Sequence, residues 1–256
     1  MKKYLSFMMV ALFMATFTIS CDKDDDGDKK EAEVSLLKTV KAVWGVDEWE
    51  IWEFTYDADK RLTKVENFWL TDFDKAYDYD YSVPGKLSIT RTGQTPVVYD
   101  LDAQGRITKE DWGGGEYASY EYNADGYLVK VKEFWGGVEH LKWDVEITNG
   151  NVTKHTRYDD AGAVNRIKTF SYTPGDNVNN IDQVIVVDSY WRTVSGLYGK
   201  PSKKLVDYLD YWNGPGDEAN TKRTTIAYEF DNKNRVSKIT RTGAGWQEVL
   251  EYTYYD

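Results

Sequence analysis

Polar and apolar positions alternate with a period of two through short stretches separated by tight turns, and YEYNADGYLVKV at Tyr120–Val131 is the clearest case. Alternating aromatic and polar residues run into Asn-x-Asp-Gly, then into alternating apolar and basic residues, which is the pattern of a β-hairpin. The same phrase returns as FTYDADKRLTKV from Phe54, VYDLDAQGRITKE from Val98 and YEFDNKNRVSKI from Tyr228. Looser copies are YDYSVPGKLSIT from Tyr79 and VEITNGNVTKH from Val145. The last residues before these turns are Tyr56, Tyr81, Leu101, Tyr122 and Ile147, with Tyr172 and Phe230 in the same role; up to Tyr172 they stand 20 to 25 residues apart. At ~3.3 Å per residue that period leaves about two strands of seven or eight residues per unit. The repeat therefore predicts an all-β antiparallel meander of hairpins, not a helical solenoid.

The turn residues have mechanical reasons to be these. A four-residue connection built on a type I turn favours Asp or Asn first, to accept from the backbone two residues on, and a left-handed residue last. Asp102 with Gly105, Asn123 with Gly126 and Asp231 with Asn234 supply both ends. Lys60 holds the left-handed position in its copy, which predicts strain or a different turn there.

The Tyr-Asp-x-x-Gly-Arg-Leu pattern resembles the YD repeats of large bacterial Rhs-type shell proteins, whose hairpins line a closed β-shell. A lipoprotein leader followed by such repeats, with GLYGKPSKKLV at Gly196–Val206, also resembles an uncharacterised Bacteroidetes surface lipoprotein family with a porin-like β-barrel fold. The resemblance covers most of the chain after the leader and implies that the meander closes into a barrel.

Other strands are expected at Leu36–Val46, Trp49–Tyr56, Gln183–Trp191 and Trp246–Tyr255. The region from Tyr190 to Arg223 is irregular, the hairpin register is lost between Tyr172 and Phe230, and Gly, Pro, Asn and Asp at 195–202 and 213–221 predict two longer hairpins or a lid. Loops longer than the usual four to six residues are where function is expected.

At the N-terminus Lys2 and Lys3 precede an uncharged run from Leu5 to Ile19, too short for the ~20 residues of a spanning helix. Residues 1–20 read as a cleaved signal. Cys21, the single cysteine, follows Ser20 and resembles the acylated cysteine of a bacterial lipobox, although Thr18 and Ile19 depart from its usual residues. Residues 21–33 are acidic, hold no apolar residue larger than alanine beyond Cys21, and cannot repay an ordering cost of about 1–2 kcal/mol per residue. They read as a disordered tether, and the acidic run resembles a Bacteroidetes signal for export to the cell surface. Residues 34–256 then form a single β-barrel domain. With one cysteine, no intramolecular disulfide is available and the core must hold the fold.

Charge narrows the function. The whole chain carries a net charge of −11, which repels phosphate backbones and disfavours nucleic acid as a partner. A membrane-spanning barrel needs an apolar band about 25 Å tall, in which a basic residue near mid-depth costs roughly 2–4 kcal/mol. Here the strands place charge on both faces, as with Lys130 and Lys132 against Glu133, or Lys142 against Asp144. A water-soluble barrel is expected, held to the membrane only by its anchor.

Catalytic signals are sparse. No G-x-S-x-G elbow is present. His140 and His155 lack zinc-ligand spacing and are expected to be surface strand residues. The D-x-D and N-x-D pairs lack the closing glutamate of a calcium loop, so turn chemistry accounts for them. Neither a metal nor a cofactor is implied, and the chain is not expected to be an enzyme; glycan hydrolysis would require two carboxylates facing each other in a cleft. The most informative feature is tryptophan beside the turns opposite the Asp-Gly turns: Trp69, Trp112, Trp135, Trp191, Trp212 and Trp246. If the meander closes, these rings gather at one rim. There they either cap the barrel, burying about 150–250 Å² each, or form a platform for sugar rings. The expectation is a lipid-anchored outer-membrane protein, exposed on the cell surface, whose partner is a glycan; the alternative is an envelope protein with a filled barrel that binds a protein partner.

Overall fold

In this computed structural model the described residues are 35–45, 47–70, 72–177, 181 and 196–255. Among them the chain forms sixteen antiparallel strands. The first eight are β1 (Leu37–Val43), β2 (Trp49–Tyr56), β3 (Leu62–Trp69), β4 (Asp72–Asp80), β5 (Lys86–Arg91), β6 (Val97–Leu101), β7 (Ile107–Gly113) and β8 (Glu116–Tyr122). The second eight are β9 (Leu128–Trp135), β10 (Val138–Thr148), β11 (Asn151–Tyr158), β12 (Val164–Asp176), β13 (Lys204–Trp212), β14 (Lys222–Phe230), β15 (Val236–Gly243) and β16 (Trp246–Tyr254). A short 3₁₀ turn at Glu218–Asn220 lies between β13 and β14. Each strand pairs with its neighbours in sequence, and β1 pairs with β16, so the meander closes into a barrel without a free edge.

The repeat is explained by its own side chains. In three copies the turn aspartate binds the turn from inside: Asp102 Oδ1 accepts from the backbone N–H of Gln104 and of Arg106, each at 2.9 Å, and Asp57 and Asp231 do the same. The other oxygen accepts from the arginine that follows the turn, with Arg106 Nε at 2.7 Å. That guanidinium then lies over the tyrosine ending a neighbouring hairpin: Arg61 over Tyr81 at 5.0 Å, Arg106 over Tyr122 at 4.3 Å and Arg235 over Tyr254 at 4.6 Å. The tyrosine hydroxyl donates to the carbonyl that opens the preceding strand, from Tyr122 to Ile107 at 2.6 Å and from Tyr254 to Val236 at 2.7 Å. Tyr, Asp and Arg thus lock one hairpin onto the next. Lys60 keeps the common turn and takes the left-handed conformation itself, at φ 62°.

Residues directly paired across strands share a face, so the register identifies the inner wall: Val40 with Trp52, Phe54 with Val65, Leu87 with Tyr99, Tyr120 with Val131, and Ile239 with Leu250. These form one buried hydrophobic cluster. Leu87, Ile107, Ile239 and Leu250 expose 0% of their surface and Tyr99 1%. At this level the interior is packed with side chains, whereas barrels of this strand number commonly enclose an aqueous channel. The outer wall is polar. It carries cross-strand ion pairs such as Lys86–Asp100, Lys132–Glu121, Lys154–Glu146 and Lys238–Glu229 where a membrane barrel would face lipid.

Strand alternation gives the barrel two different ends. One holds the turns after Tyr56, Asp80, Leu101, Tyr122, Thr148 and Phe230 together with Ser35 and Tyr255. Residues 196–203 strap across it: Leu197 O accepts from Ile107 N at 2.8 Å, Lys200 N donates to Gly126 O at 3.0 Å and Lys203 N to Gly150 O at 3.0 Å. Leu197 and Tyr198 enter the core, with Tyr198 edge-on to Tyr120 at 5.1 Å. Gly199 has φ +89°, and a Cβ there would meet Gly126 O at 2.6 Å, so only glycine fits under the turn. The irregular region is therefore part strap (196–203) and part long hairpin (β13–β14), while the expected strand at 183–191 lies outside the described residues.

Candidate functional site

The opposite end is the mouth. β1, β3, β7, β9, β13 and β15 all run towards it, which places Trp44, Trp69, Trp112, Trp135, Trp212 and Trp246 beside its connections. Trp69, Trp112 and Trp246 are 43–46% exposed. Trp44 stacks on Trp69 with centroids 5.8 Å apart. Trp135 stacks on His140 at 4.0 Å, nearly parallel. Trp212 is half-buried, and its Nε1 has no hydrogen-bond partner among the described residues. Trp191, Cys21 and the whole of residues 1–34 lie outside the described residues.

Beneath the rings, the inner wall changes from apolar to polar. Glu248 accepts from Trp44 Nε1 at 3.1 Å and from Arg241 Nη1 at 3.1 Å. Glu50 accepts from Trp52 Nε1 at 2.8 Å, and Asn67 donates to Ile51 O at 3.2 Å. Glu110 accepts from the hydroxyls of Tyr99 at 3.2 Å and Tyr120 at 2.9 Å. Aromatic surface above hydrogen-bonding carboxylates and an amide is a combination that can recognise rings bearing hydroxyls.

One stretch of the mouth is concave. A cleft of about 320 Å³ opens between β9, β10, β11 and β12, lined by Glu133, Lys142, Trp143, Arg157, Asp160 and Asn165 among others. Lys142 donates to Glu133 at 3.1 Å and to Asp160. Burial opposes the charge on Lys142, but these carboxylates outweigh it and hold the ammonium above its ordinary pKa; Lys142 in turn holds Asp160 below the usual carboxylate range. His140 Nδ1 lies 3.2 Å from Asp160 O. Trp143 carries His155 on its ring at 4.2 Å and the Arg157 guanidinium at 5.2 Å.

His155 corrects the expectation of a surface residue. It is 1% exposed, because its position pairs with Val145 on the inner face and Trp143 covers it. Burial, with Lys168 and Arg157 nearby, pushes its pKa down to about 3, so the ring is neutral. His140 is half-buried under Trp135.

Sequence reasoning also passed over Trp44, Trp143, Lys142, Arg157 and Asp160. A signal existed for the last: Tyr158-Asp159-Asp160-Ala161-Gly162 is another copy of the turn phrase, with Asp159 Oδ1 accepting from Ala161 N at 3.0 Å and Ala163 N at 2.9 Å. Three strands separate it from the Asn123 turn, an odd number, so this copy lands at the mouth. Among the described residues, no group of three or more His, Cys, Asp or Glu side chains is placed to hold a metal ion.

Comparison with known proteins supports this architecture. A porin-like protein from Bacteroides uniformis ATCC 8492 has a similar fold, with a TM-score of 0.68 at 17% identity, covering 86% of this chain and 98% of that one. A β-barrel-like protein of a domain of unknown function from Brucella abortus aligns over 87% of this chain and 100% of its own, at 9% identity; its TM-score of 0.31 is too low to carry an argument. No curated protein matches the sequence. The Teneurin YD-shell family model matches residues 34–164, just over half the chain and the stretch that holds most copies of the Tyr-Asp hairpin. On that match, the chain belongs to the Teneurin YD-shell family.

Proposed function

We propose that this is a non-enzymatic, lipid-anchored protein of the outer membrane, displayed at the cell surface, that binds glycans at its tryptophan mouth. The observation that carries the reading is the exposure of Trp69, Trp112 and Trp246 around one opening, above an inner layer of hydrogen-bonding carboxylates and amides. Rings that merely closed the barrel would be buried by it. The packed interior argues against a passage through the barrel, so the likeness to a porin-like protein extends to the fold alone.

The packed interior also favours a second reading, in which the mouth docks an envelope protein. Titrating host and plant polysaccharides into the full chain while following tryptophan fluorescence separates the two. Glycan binding predicts a saturable change that Trp112→Ala and Trp135→Ala abolish without lowering thermal stability. No response to any glycan, with both variants stably folded, would transfer the site to a protein partner.

A further inference from the structure

The cleft between β9 and β12 contains an electrostatic imbalance. Its lysine is neutralised twice over, by Glu133 and Asp160, and Asp159 is engaged by its own turn. Arg157 is different. It lines the cleft, lies over the Trp143 ring at 5.2 Å, and has no carboxylate partner among the described residues. Its directly paired neighbour across the ladder is Arg166, also without a carboxylate partner there. Like charges directly opposite on one sheet face destabilise it, and in so acidic a chain carboxylates to quench them are abundant. Elsewhere the wall does quench its cations, as at Arg223–Asp210 and Lys86–Asp100. The two arginines therefore have no carboxylate partner among the described residues, Arg157 in the wall of the cleft and Arg166 exposed beside it on the next strand. Asn165 lines the same cleft with a buried Oδ1 that has no hydrogen-bond partner among the described residues, an acceptor that a hydroxyl would satisfy.

We infer that Arg157 and Arg166 receive the anionic group of an acidic sugar, a uronate carboxylate or a sulfate ester, whose ring packs against the aromatic wall of the cleft. The planar guanidinium fork of Arg157 suits a two-oxygen anion, and its seat over the Trp143 ring holds the guanidinium in the cleft wall before the ligand arrives. This rests on the glycan reading above and narrows it to acidic glycans.

The test is calorimetric titration of the full chain with oligogalacturonate, its methyl ester, and a sulfated carrageenan oligomer, at low and high salt. The acid oligomer or the sulfated one should bind at least tenfold more tightly than the neutral ester, and high salt should erase that advantage. Which of the two binds identifies the anion. Arg157→Gln should reduce binding to the level of the ester, and Arg157→Lys, which keeps the charge but loses the fork, should fall between. Arg166→Gln, at an exposed position, gives a second reading if Arg157→Gln melts early. An ester that binds as well as the acid, or arginine variants with unchanged affinity, would overturn the anion assignment and leave the glycan reading standing. Failure of all three oligomers to bind would overturn the acidic-sugar assignment, while the glycan reading is decided separately by the fluorescence titration with the wider set of polysaccharides.

Discussion

Lys60 and His155 show how single residues are constrained by positions the repeat dictates. Lys60 occupies the left-handed corner that Gly105 and Gly126 fill in sister turns, at φ 62°. A side chain there costs roughly 1–2 kcal/mol. Lys60→Gly is therefore expected to stabilise the protein by about 0.5–1 kcal/mol, visible as a higher denaturation midpoint with an unchanged slope. His155 works through protons. Its folded pKa of about 3 lies below the unfolded value of 6.5, so only the unfolded chain takes up the proton between those pH values. Its contribution to stability is complete above pH 6.5 and is lost on acidification towards pH 3, at up to about 1.4 kcal/mol per pH unit. The depressed aspartates, Asp102 and Asp231 among them, act in the same direction but below their ordinary value of 3.8. A melting-temperature series between pH 6.5 and 4 should therefore slope in the wild type and flatten in His155→Gln.

Among the elements, the 196–203 strap and the tryptophan rim make opposite predictions. The strap closes one end by feeding Leu197 and Tyr198 into the core and bonding to three turns. Leu197→Ala should cost about 2–5 kcal/mol, as for other large-to-small core changes. Trp112→Ala, at an exposed position, should cost little. Chemical denaturation of the two variants side by side checks both; equal losses would mean that the rim is part of the core. The hairpins also differ in what holds them. Copies with the Asp–Arg–Tyr lock are joined by side chains as well as by ladders, whereas the Asn123 turn places Tyr127 where the arginine would stand.

At the scale of the molecule, closure of β1 on β16 removes the difference between an end and a middle. Tyr255 N donates to Leu36 O at 2.9 Å, so the described termini lie side by side at the strapped end. A circular permutant that joins them by a short linker and opens the chain at Gly114–Gly115 should keep the β-sheet circular dichroism and melt within a few degrees of the parent. A large loss of stability would show that the order of strand synthesis, and not only the closed ladder, holds the barrel. The opening point is an exposed two-glycine turn at the mouth, so the strap stays intact.

The local rules were written in the sequence because each acts over a few residues. Period-two alternation, an Asp that caps its own turn and a Gly two or three residues later sufficed to predict the all-β meander and most of its turns. The same alternation placed Trp69, Trp112, Trp135, Trp212 and Trp246 on the connections opposite the main run of Asp turns. Facts that depend on where distant strands meet could not be read that way. The pairing of Leu37–Val43 with Trp246–Tyr254 joins segments two hundred residues apart. A filled lumen depends on the sum of inward volumes, not on any one strand. His155 is buried because register puts it behind Trp143, and nothing within its own strand marks it. The cleft draws on four strands between Glu133 and Asn165, and apart from the Asp159 turn no motif marks it; tertiary structure alone brings Lys142 to two carboxylates and leaves Arg157 facing Arg166.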